Sequence, residues 1–302
     1  MAKPKQTKKR ATVSKRRKAE RQRRTMMCII AALAVLLLIG LIVLWCAPEK
    51  EAPEIEVPER TIPENTYIDE AFYQSDGYLH YAAEEDMVGI DVSAHQGLID
   101  WTRVRDSGIE YAVIRAGYRG STEGRLYEDA QFRYNFVSAQ TVGLPVAVYF
   151  YSQAVTTQEA VEEAQFVCDL LDGYTPDLPV FYDWEHGDSS GRISGVSGMP
   201  ITDFAVAFCE EIKAAGYDAG VYFNLDYAYH HLDLLRLQDY TLWLAEYNLP
   251  PTFPYRFDWL QYSDGGIVPG IEGTVDMDLM LIPGEASEDF VITYDTNKTP
   301  AE

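Results

Sequence analysis

The sequence predicts an α/β fold for residues 87–284, an irregular (β/α)-barrel of five strand–helix units followed by three strands. Short apolar strands alternate with amphipathic helical segments, a rhythm typical of a parallel sheet. The strands number eight, which is the count that closes a parallel sheet into a barrel of the TIM type. The last three strands are separated by loops with no room for helices, so the predicted barrel is irregular there.

The predicted strands share β-branched and aromatic residues bounded by turn residues. In chain order they are Val88–Val92, Tyr111–Ala116, Pro145–Tyr151, Pro179–Asp183, Gly220–Asn224, Thr241–Glu246, Asp258–Tyr262 and Thr274–Met280. The segments between the first six strands follow a helical apolar period, as in TTQEAVEEAQFVCDLLDG. Gly143 and Gly216 stand where two of these helices are expected to end.

The segments outside the barrel differ sharply in composition. Residues 1–25 form a basic tail with 12 Lys or Arg, although the whole chain has a formal net charge of -22. Residues 26–46 (MMCIIAALAVLLLIGLIVLWC) hold no charge and would reach about 30 Å as a helix, the thickness of a bilayer core. Residues 47–86 predict a Pro/Glu-rich extended stalk and a lead-in to the barrel. Residues 285–302 form a C-terminal tail.

The apolar run predicts one transmembrane helix in a bacterial cell membrane. The positive-inside rule then leaves the basic tail in the cytoplasm and the barrel outside the cell. A cleaved signal peptide is the alternative, but its apolar region is usually only about 7–15 residues long. The tail therefore indicates orientation and contact with anionic lipid, and the acidic body argues against nucleic acid as a partner.

Two further classes of site find little support in the sequence. No CxxC pair or Cys/His cluster predicts a structural zinc site, and no Gly-rich phosphate loop predicts a nucleotide, so no cofactor is expected. Cys168 and Cys209 lie in helical segments of the body, where they could pair outside the cell or remain free thiols. The oligomeric state is left open.

Acidic residues stand at the ends of predicted strands that a closed barrel brings together. Asp91 ends the first strand, Asp183 and Glu185 end the fourth, and Asp276 and Asp278 lie on the last. Functional groups of such barrels gather at strand ends, so these carboxylates should converge on one cleft. Two acids two residues apart on a strand share a face and repel, which favours one of them keeping its proton. That combination suits glycoside cleavage; a metal site and a solvated strand end remain alternatives.

Side chains near the same strand ends are candidates for binding a sugar substrate, because aromatic rings stack on sugar rings. The candidates are Tyr118, Tyr149, Tyr151, Trp184, Tyr222, Trp243, Tyr247, Gln261, Tyr262 and Asp278. Several of the aromatic ones should be core residues, since aromatics are common in strands.

The segment GIDVSAHQGLIDWTRVRDSGIEYAVIRAGYRG resembles the opening of glycoside hydrolase family 25, the muramidase (lysozyme) family. The similarity continues in family order through LPVFYDWE, GVYFN, LWLAEY and QYSDGGIVPGIEGTVDMD, and it covers about Val88 to Leu281. The resemblance implies an irregular barrel of the predicted kind. It also implies cleavage of the β-1,4 bond between N-acetylmuramic acid and N-acetylglucosamine in peptidoglycan.

The resemblance further implies roles for the acids. Glu185 would be the general acid that protonates the leaving oxygen, and Asp183 would stabilise positive charge on the sugar or orient its acetamido group. Asp91 and Asp276 would orient the sugar and fix the protonation of the pair. Asp278 departs from the Asn that family members often carry at this position, so this additional acid either raises neighbouring pKa values or points away from the site.

The leading hypothesis is therefore a membrane-tethered muramidase that acts on peptidoglycan glycan strands. Three alternatives remain. The barrel could be a non-catalytic glycan-binding module, a glucosaminidase or chitinase with the same Asp-x-Glu pattern, or a hydrolase that uses a divalent metal held by carboxylates. The motifs around Asp91 and Asp276 favour the muramidase.

Overall fold

The computed structural model describes residues 5–45, 61–186 and 191–282. These residues fall into two separate units, a helix that ends at residue 45 and a barrel unit that begins at residue 61. Part of the predicted stalk and the predicted C-terminal tail, residues 285–302, lie outside the described residues.

The first unit is helix α1, Lys5–Trp45, whose 41 residues run without a break through the basic tail and the apolar run. Its segment Arg16–Ile39 is long and apolar enough to cross a membrane. Large apolar side chains such as Met27 and Leu37 are exposed on this helix. Length and composition therefore agree with a membrane-spanning helix, and a signal sequence near the N-terminus would have the same features.

Eleven strands are found in the described part of the barrel unit. They are β1 (Phe72–Ser75), β2 (Tyr78–Tyr81), β3 (Glu85–Val92), β4 (Tyr111–Arg119), β5 (Leu126–Glu128), β6 (Val146–Ser152), β7 (Val180–Trp184), β8 (Ala219–Asn224), β9 (Thr241–Ala245), β10 (Trp259–Gly266) and β11 (Val275–Ile282). The helices are α2 (Trp101–Asp106), α3 (Phe132–Thr141), α4 (Thr157–Leu170), α5 (Pro200–Ala214), α6 (Leu225–His230) and α7 (Leu234–Leu237).

Local sequence fixes where several helices begin and end. The side chains of Asp100, Thr156 and Asn224 accept hydrogen bonds from backbone N–H groups in the first turns of α2, α4 and α6. Such caps satisfy donors that have no partner within a helix. Gly143 and Gly216 follow α3 and α5 with positive φ, a conformation that glycine adopts at low cost. Both helix ends are therefore where the sequence predicts them.

Eight strands close the predicted barrel in the order β3-β11-β10-β9-β8-β7-β6-β4, and β3 pairs with β4 to complete it. The short strand β5 extends the sheet beside β4. Five strand–helix units and three final strands are present as predicted, so the irregular (β/α)-barrel is confirmed. The pairs β3–β4, β4–β6, β6–β7, β7–β8, β8–β9 and β9–β10 are all parallel.

The direction of the last strand corrects the expectation of a wholly parallel barrel. Strand β11 runs antiparallel to both β10 and β3. The connection from β10 to β11, residues 267–274, is a hairpin, and parallel strands would need a crossover of a dozen residues or more. Because β11 is reversed, its first residues lie at the barrel end where the other strands finish.

The lead-in to the barrel has a defined structure that the sequence analysis did not predict. Strands β1 and β2 form a hairpin, and its turn residues Asp76 and Gly77 both have positive φ, as an Asp-Gly turn of this kind requires. Leu79 and Tyr81 are buried in the main core. Leu79 N also donates to the Tyr262 hydroxyl at 3.3 Å, so the lead-in packs on the barrel.

The two body cysteines are free in the structure. Cys168 on α4 is partly buried, and Cys209 on α5 is completely buried and unpaired. Of the two readings that the sequence left open, free thiols are therefore the one observed.

Candidate active site

A cavity of about 240 Å³ opens at the end of the barrel where the parallel strands finish. Alternation along each strand decides which side chains face it, since successive residues point to opposite sides of a sheet. The cavity is lined by Asp91, Arg115, Tyr149, Tyr151, Asp183, Glu185, Tyr222, Trp243, Tyr247, Gln261, Asp264 and Asp276. All four acids predicted as catalytic are among these residues.

Asp183 and Glu185 form the β7 side of the cavity. Asp183 lies between Tyr151 of β6 and Tyr222 of β8 in the strand register. Its side chain is buried, and Asp183 Oδ1 has no hydrogen-bond partner among the described residues. Trp184, the residue between the two acids, points to the opposite side of the sheet, where its Nε1 donates to Ala154 O at 2.8 Å.

The electrostatics of this pair favour a retained proton. Burial raises the pKa of Asp183 well above its usual range, and the negative charge of Glu185 raises it further. Burial also raises the pKa of Glu185, with the charge of Asp276 adding to the rise. Arg115 opposes the effect on Asp183. The pair can therefore keep a proton at a pH where isolated carboxyl groups would have lost theirs.

Asp91 and Asp276 form the opposite side of the cavity, on the neighbouring strands β3 and β11, where they are direct register partners. Gln261 Nε2 donates to Asp91 Oδ2 at 2.7 Å. The hydroxyls of Tyr222 and Tyr247 donate to Gln261 Oε1 at 3.1 and 3.0 Å. These contacts fix the amide so that its NH2 group faces Asp91. Burial raises the pKa of Asp276 to about 6, and the charge of Asp264 contributes.

Arg115 and Asp264 are cavity residues that the sequence analysis missed. Arg115 is the single basic residue among the described residues lining the cavity; its guanidinium pairs with Asp129 at 2.8 Å and lies 5.4 Å from the centre of the Tyr118 ring. A charged residue inside the apolar run YAVIRA was an available signal for it. Asp264 follows a bulge in the β10–β11 pairing, which strand alternation does not reveal.

The structure divides the predicted substrate-binding residues into two groups. Tyr149, Tyr151, Tyr222, Trp243, Tyr247 and Gln261 line the cavity. Trp184 and Tyr262 do not, because Trp184 points outward and Tyr262 lies under the lead-in hairpin. Tyr118 stacks on Tyr127 with ring centres 5.3 Å apart and lines a neighbouring cavity of about 350 Å³, to which Tyr151 also contributes.

Asp278 also lies away from the open cavity, completely buried beneath it. The Nε1–H of Trp243 donates to Asp278 Oδ1 at 2.9 Å. Asp278 is therefore placed to act on neighbouring side chains and has no access to a sugar.

A barrel with a buried acid pair at its strand ends, a second acid pair opposite and aromatic walls is typical of glycoside hydrolases. Comparison with known families agrees. The family model described as "Glycosyl hydrolases family 25" matches residues 90–271. Because that match covers more than half of the chain, the chain belongs to glycosyl hydrolase family 25.

Two curated relatives carry lysozyme names. The chain is 28% identical over 215 residues to an autolytic lysozyme of Clostridium acetobutylicum, which covers 67% of this chain and 62% of the relative. It is also 28% identical over 202 residues to lysozyme M1 of Streptomyces globisporus, covering 62% of this chain and 65% of the relative. The chain therefore spans slightly under two thirds of the length of these relatives.

Solved structures share the fold. The modular autolysin LytC from Streptococcus pneumoniae superposes with a TM-score of 0.58 at 24% identity, covering 69% of this chain and 52% of that one. A lysozyme from Streptomyces coelicolor gives a TM-score of 0.52 at 24% identity, covering 64% of this chain and 90% of that one. These likenesses support the barrel architecture.

Proposed function

We propose that the barrel unit is a muramidase that hydrolyses the β-1,4 bond between N-acetylmuramic acid and N-acetylglucosamine in peptidoglycan. The observation that carries the proposal is the Asp183/Glu185 pair, two residues of one strand that face a single cavity and whose pKa values are both raised. Membership of the family and the lysozyme names of the relatives support it.

In the proposed reaction, Glu185 is the general acid. Its raised pKa favours retention of a proton, and that proton passes to the leaving glycosidic oxygen as the bond breaks. Burial raises the pKa of both acids, and that of Asp183 the more strongly. We assign the shared proton to Glu185 because Arg115 opposes the rise at Asp183, so that Asp183 acts in its ionised form. It stabilises positive charge on the sugar ring or orients the acetamido group as the internal nucleophile.

Asp91 and Asp276 position the sugar in this proposal. Asp91 accepts a hydrogen bond from Gln261, which holds the carboxylate toward the cavity. Side chains that hold a substrate in reactive geometry contribute to rate without taking part in bond making. The aromatic walls, which include Tyr149, Tyr222 and Trp243, would pack against the sugar faces.

The proposal extends to location. Helix α1 would tether the enzyme to a bacterial cell membrane with its basic end in the cytoplasm, because its segment Arg16–Ile39 is long and apolar enough to span and is preceded by positive charge. Peptidoglycan outside the membrane would then be the substrate within reach. Mature protein recovered solely in a cleaved, secreted form would contradict the tether and leave the chemistry intact.

The chemistry is tested with the full chain, purified in mild detergent and incubated with isolated peptidoglycan. Mass spectrometry of the products identifies the sugar at each new reducing end. N-acetylmuramic acid ends that disappear with Glu185→Gln and persist with Glu70→Gln would support the proposal; Glu70 is an exposed acid of the lead-in. N-acetylglucosamine ends would indicate a glucosaminidase, and binding without cleavage would indicate a glycan-binding module.

A further inference from the structure

Asp278 is a buried acid with an incomplete set of partners. It lies on β11 with no exposed surface. Trp243 Nε1 donates to its Oδ1 at 2.9 Å. No N–H or O–H group of the described residues donates to Oδ2 when both neighbouring acids are ionised. A buried charged oxygen without a donor is costly, while a protonated oxygen can itself donate. The surroundings of Oδ2 therefore decide whether the Asp278 carboxyl group is protonated or ionised.

Strand register places Asp278 beside Asp91. Asp276 is the direct partner of Asp91, and Asp278 is the direct partner of Gly89. Residues two apart on a strand share a face, so Asp278 and Asp91 are diagonal neighbours within side-chain reach on the inward face. A hydrogen bond between their two carboxyl groups requires that one of them carries a proton.

The space opposite Asp278 is closed by an aromatic ring. Gly89 has no side chain, and the ring of Tyr111 from β4 fills its place, so that a Cβ built at Gly89 would lie 2.2 Å from the ring. Tyr111 is completely buried, and its hydroxyl also has no hydrogen-bond partner among the described residues. The Asp278 side chain is thus confined among Asp91, Trp243 and Tyr111, away from bulk water.

Among the described residues, no cation contributes to the charge around Asp278. The titratable groups around it are Asp91 from β3, Tyr111 from β4, Tyr262 from β10 and Asp276 from its own strand. Burial raises the pKa of Asp278 well above its usual range, and the negative charge of Asp91 raises it further. Burial also raises the pKa of Asp91 well above its usual range, but its hydrogen bonds with Gln261, at 2.7 Å, and with Asp278 oppose that rise. Of the two acids, Asp278 is therefore the one to hold the shared proton.

We propose that Asp278 is a positioning residue, a neutral carboxylic acid that donates a hydrogen bond to Asp91. Gln261 and Asp278 together then hold an ionised Asp91 in place beneath the cavity, and Trp243 holds Asp278. This inference rests on the proposed function, because Asp91 is taken to orient the sugar. When the shared proton is lost to solvent at high pH, two adjacent carboxylates repel, Asp91 is displaced and turnover falls.

Asp278→Asn separates this role from a purely structural one. The amide keeps an acceptor for Trp243 and a donor for Asp91, but it has no proton to lose. We expect hydrolysis by the full chain within about threefold of the unsubstituted protein at its optimum, with an alkaline limb of the kcat profile that reports loss of the Glu185 proton alone. Asp172→Asn, the same change at an exposed acid, should leave the limb in place.

Two further measurements keep the inference falsifiable. Asp278→Leu removes the donor and should lower kcat by about tenfold or more. Infrared spectra at neutral pH should show a protonated-carboxyl band that is weaker in Asp278→Asn than in Asp172→Asn. An unchanged band, or a loss in the asparagine variant as large as in the leucine variant, would each overturn the inference. If the unsubstituted chain cleaves no peptidoglycan, the proposed function fails, and the infrared comparison still decides the state of Asp278.

Discussion

Two buried side-chain clusters in this molecule, each of which contains an acid, differ in how completely hydrogen-bond donors and positive charge match that acid. Glu163 of α4 is fully buried, yet Arg119 Nε donates to its Oε1 at 2.6 Å and Ser152 Oγ donates to its Oε2 at 2.6 Å. In the cavity, Asp183 is also buried but has an oxygen without a partner. The partners of Glu163 offset much of the free-energy cost of burying its charge, as in a structural ion pair. At Asp183, an oxygen without a donor leaves more of that cost uncompensated.

The difference indicates how to separate structural from functional acids. Burial raises the pKa of Glu163 to about 7, although its partners oppose the rise, so a raised pKa alone does not identify a functional site. Asp183 has two features that Glu163 lacks, because it lines an open cavity and its Oδ1 has no hydrogen-bond partner among the described residues. A group that is buried, poorly matched and accessible to substrate is positioned for proton transfer.

The largest expected effect comes from Glu185→Gln. The amide cannot supply a proton, and loss of a general acid costs about 10²–10⁴ in rate. The free energy of unfolding should not fall, because the change removes a carboxyl group that burial disfavours in its charged form. Peptidoglycan turnover and urea unfolding of the same preparation measure both effects. A variant that is inactive because it is less stable would contradict the comparison.

The second prediction concerns Arg119→Met, which removes the positive partner of the buried Glu163. Removing the guanidinium leaves Glu163 buried without its main partner and exposes two unpaired carbonyls, Gly124 O and Glu159 O, that it now contacts. We expect a loss of about 3–5 kcal/mol in the free energy of unfolding, as for other broken buried ion pairs. The part that stays folded should keep its kcat.

The exposed Arg125 provides the control for that substitution, since its guanidinium is in long contact, at 3.8 Å, with Glu123. Arg125→Met should change stability by less than about 1 kcal/mol. Equal losses in the two variants would show that removing any arginine from this region destabilises the barrel, and the distinction between the clusters would then fail.

A third prediction concerns Gln261, whose amide donates a hydrogen bond to the cavity acid Asp91. Gln261→Leu removes the amide that donates to Asp91 and leaves the hydroxyls of Tyr222 and Tyr247 without their acceptor. A lost hydrogen bond to a charged group costs about 1.5–3 kcal/mol, so kcat/KM should fall by about ten- to a hundredfold. Gln261→Glu would keep an acceptor but add a charge next to Asp91, and it should be at least as impaired.

Strand periodicity made most of the fold predictable, but it carries no information on strand direction. The eight barrel strands lie within a few residues of their predicted positions because short apolar runs bounded by turn residues mark buried strands. The reversal of β11 depended on loop length, which was readable in residues 267–274. The lead-in hairpin also had a signal, since Asp76-Gly77 between aromatic residues is a strong hairpin turn.

The site was predictable where acids stand at strand ends and less so where side-chain direction matters. Asp91, Asp183, Glu185 and Asp276 face one cavity as the barrel closure implied. Alternation from Asp183 would have placed Trp184 on the outer side, and alternation from Gln261 would have placed Tyr262 there. The burial of Asp278 beneath the cavity depends on Trp243 and Tyr111 from other strands, a tertiary arrangement that no local pattern encodes.

The smallest expected effect tests the long-range part of the cavity electrostatics. Asp264 is exposed, and its charge helps to raise the pKa of Asp276 to about 6. Asp264→Asn removes that charge, so the pKa of Asp276 should decrease and its ionisation should be complete at a lower pH. Asp276 is proposed to position the sugar, and as a carboxylate it can accept hydrogen bonds from sugar hydroxyls through both oxygens. The acid limb of kcat/KM should therefore move to lower pH by a fraction of a unit.

This shift also distinguishes the two causes of the raised pKa. Burial is the larger one, so most of the rise should persist in Asp264→Asn, and what remains should be insensitive to salt. The contribution of the exposed charge should be screened in the unsubstituted chain as ionic strength rises. High salt should therefore bring the acid limb of the unsubstituted chain toward that of the variant. An acid limb that moves equally in both proteins would show that Asp264 does not act through its charge, and the limb would then report another member of the carboxylate cluster.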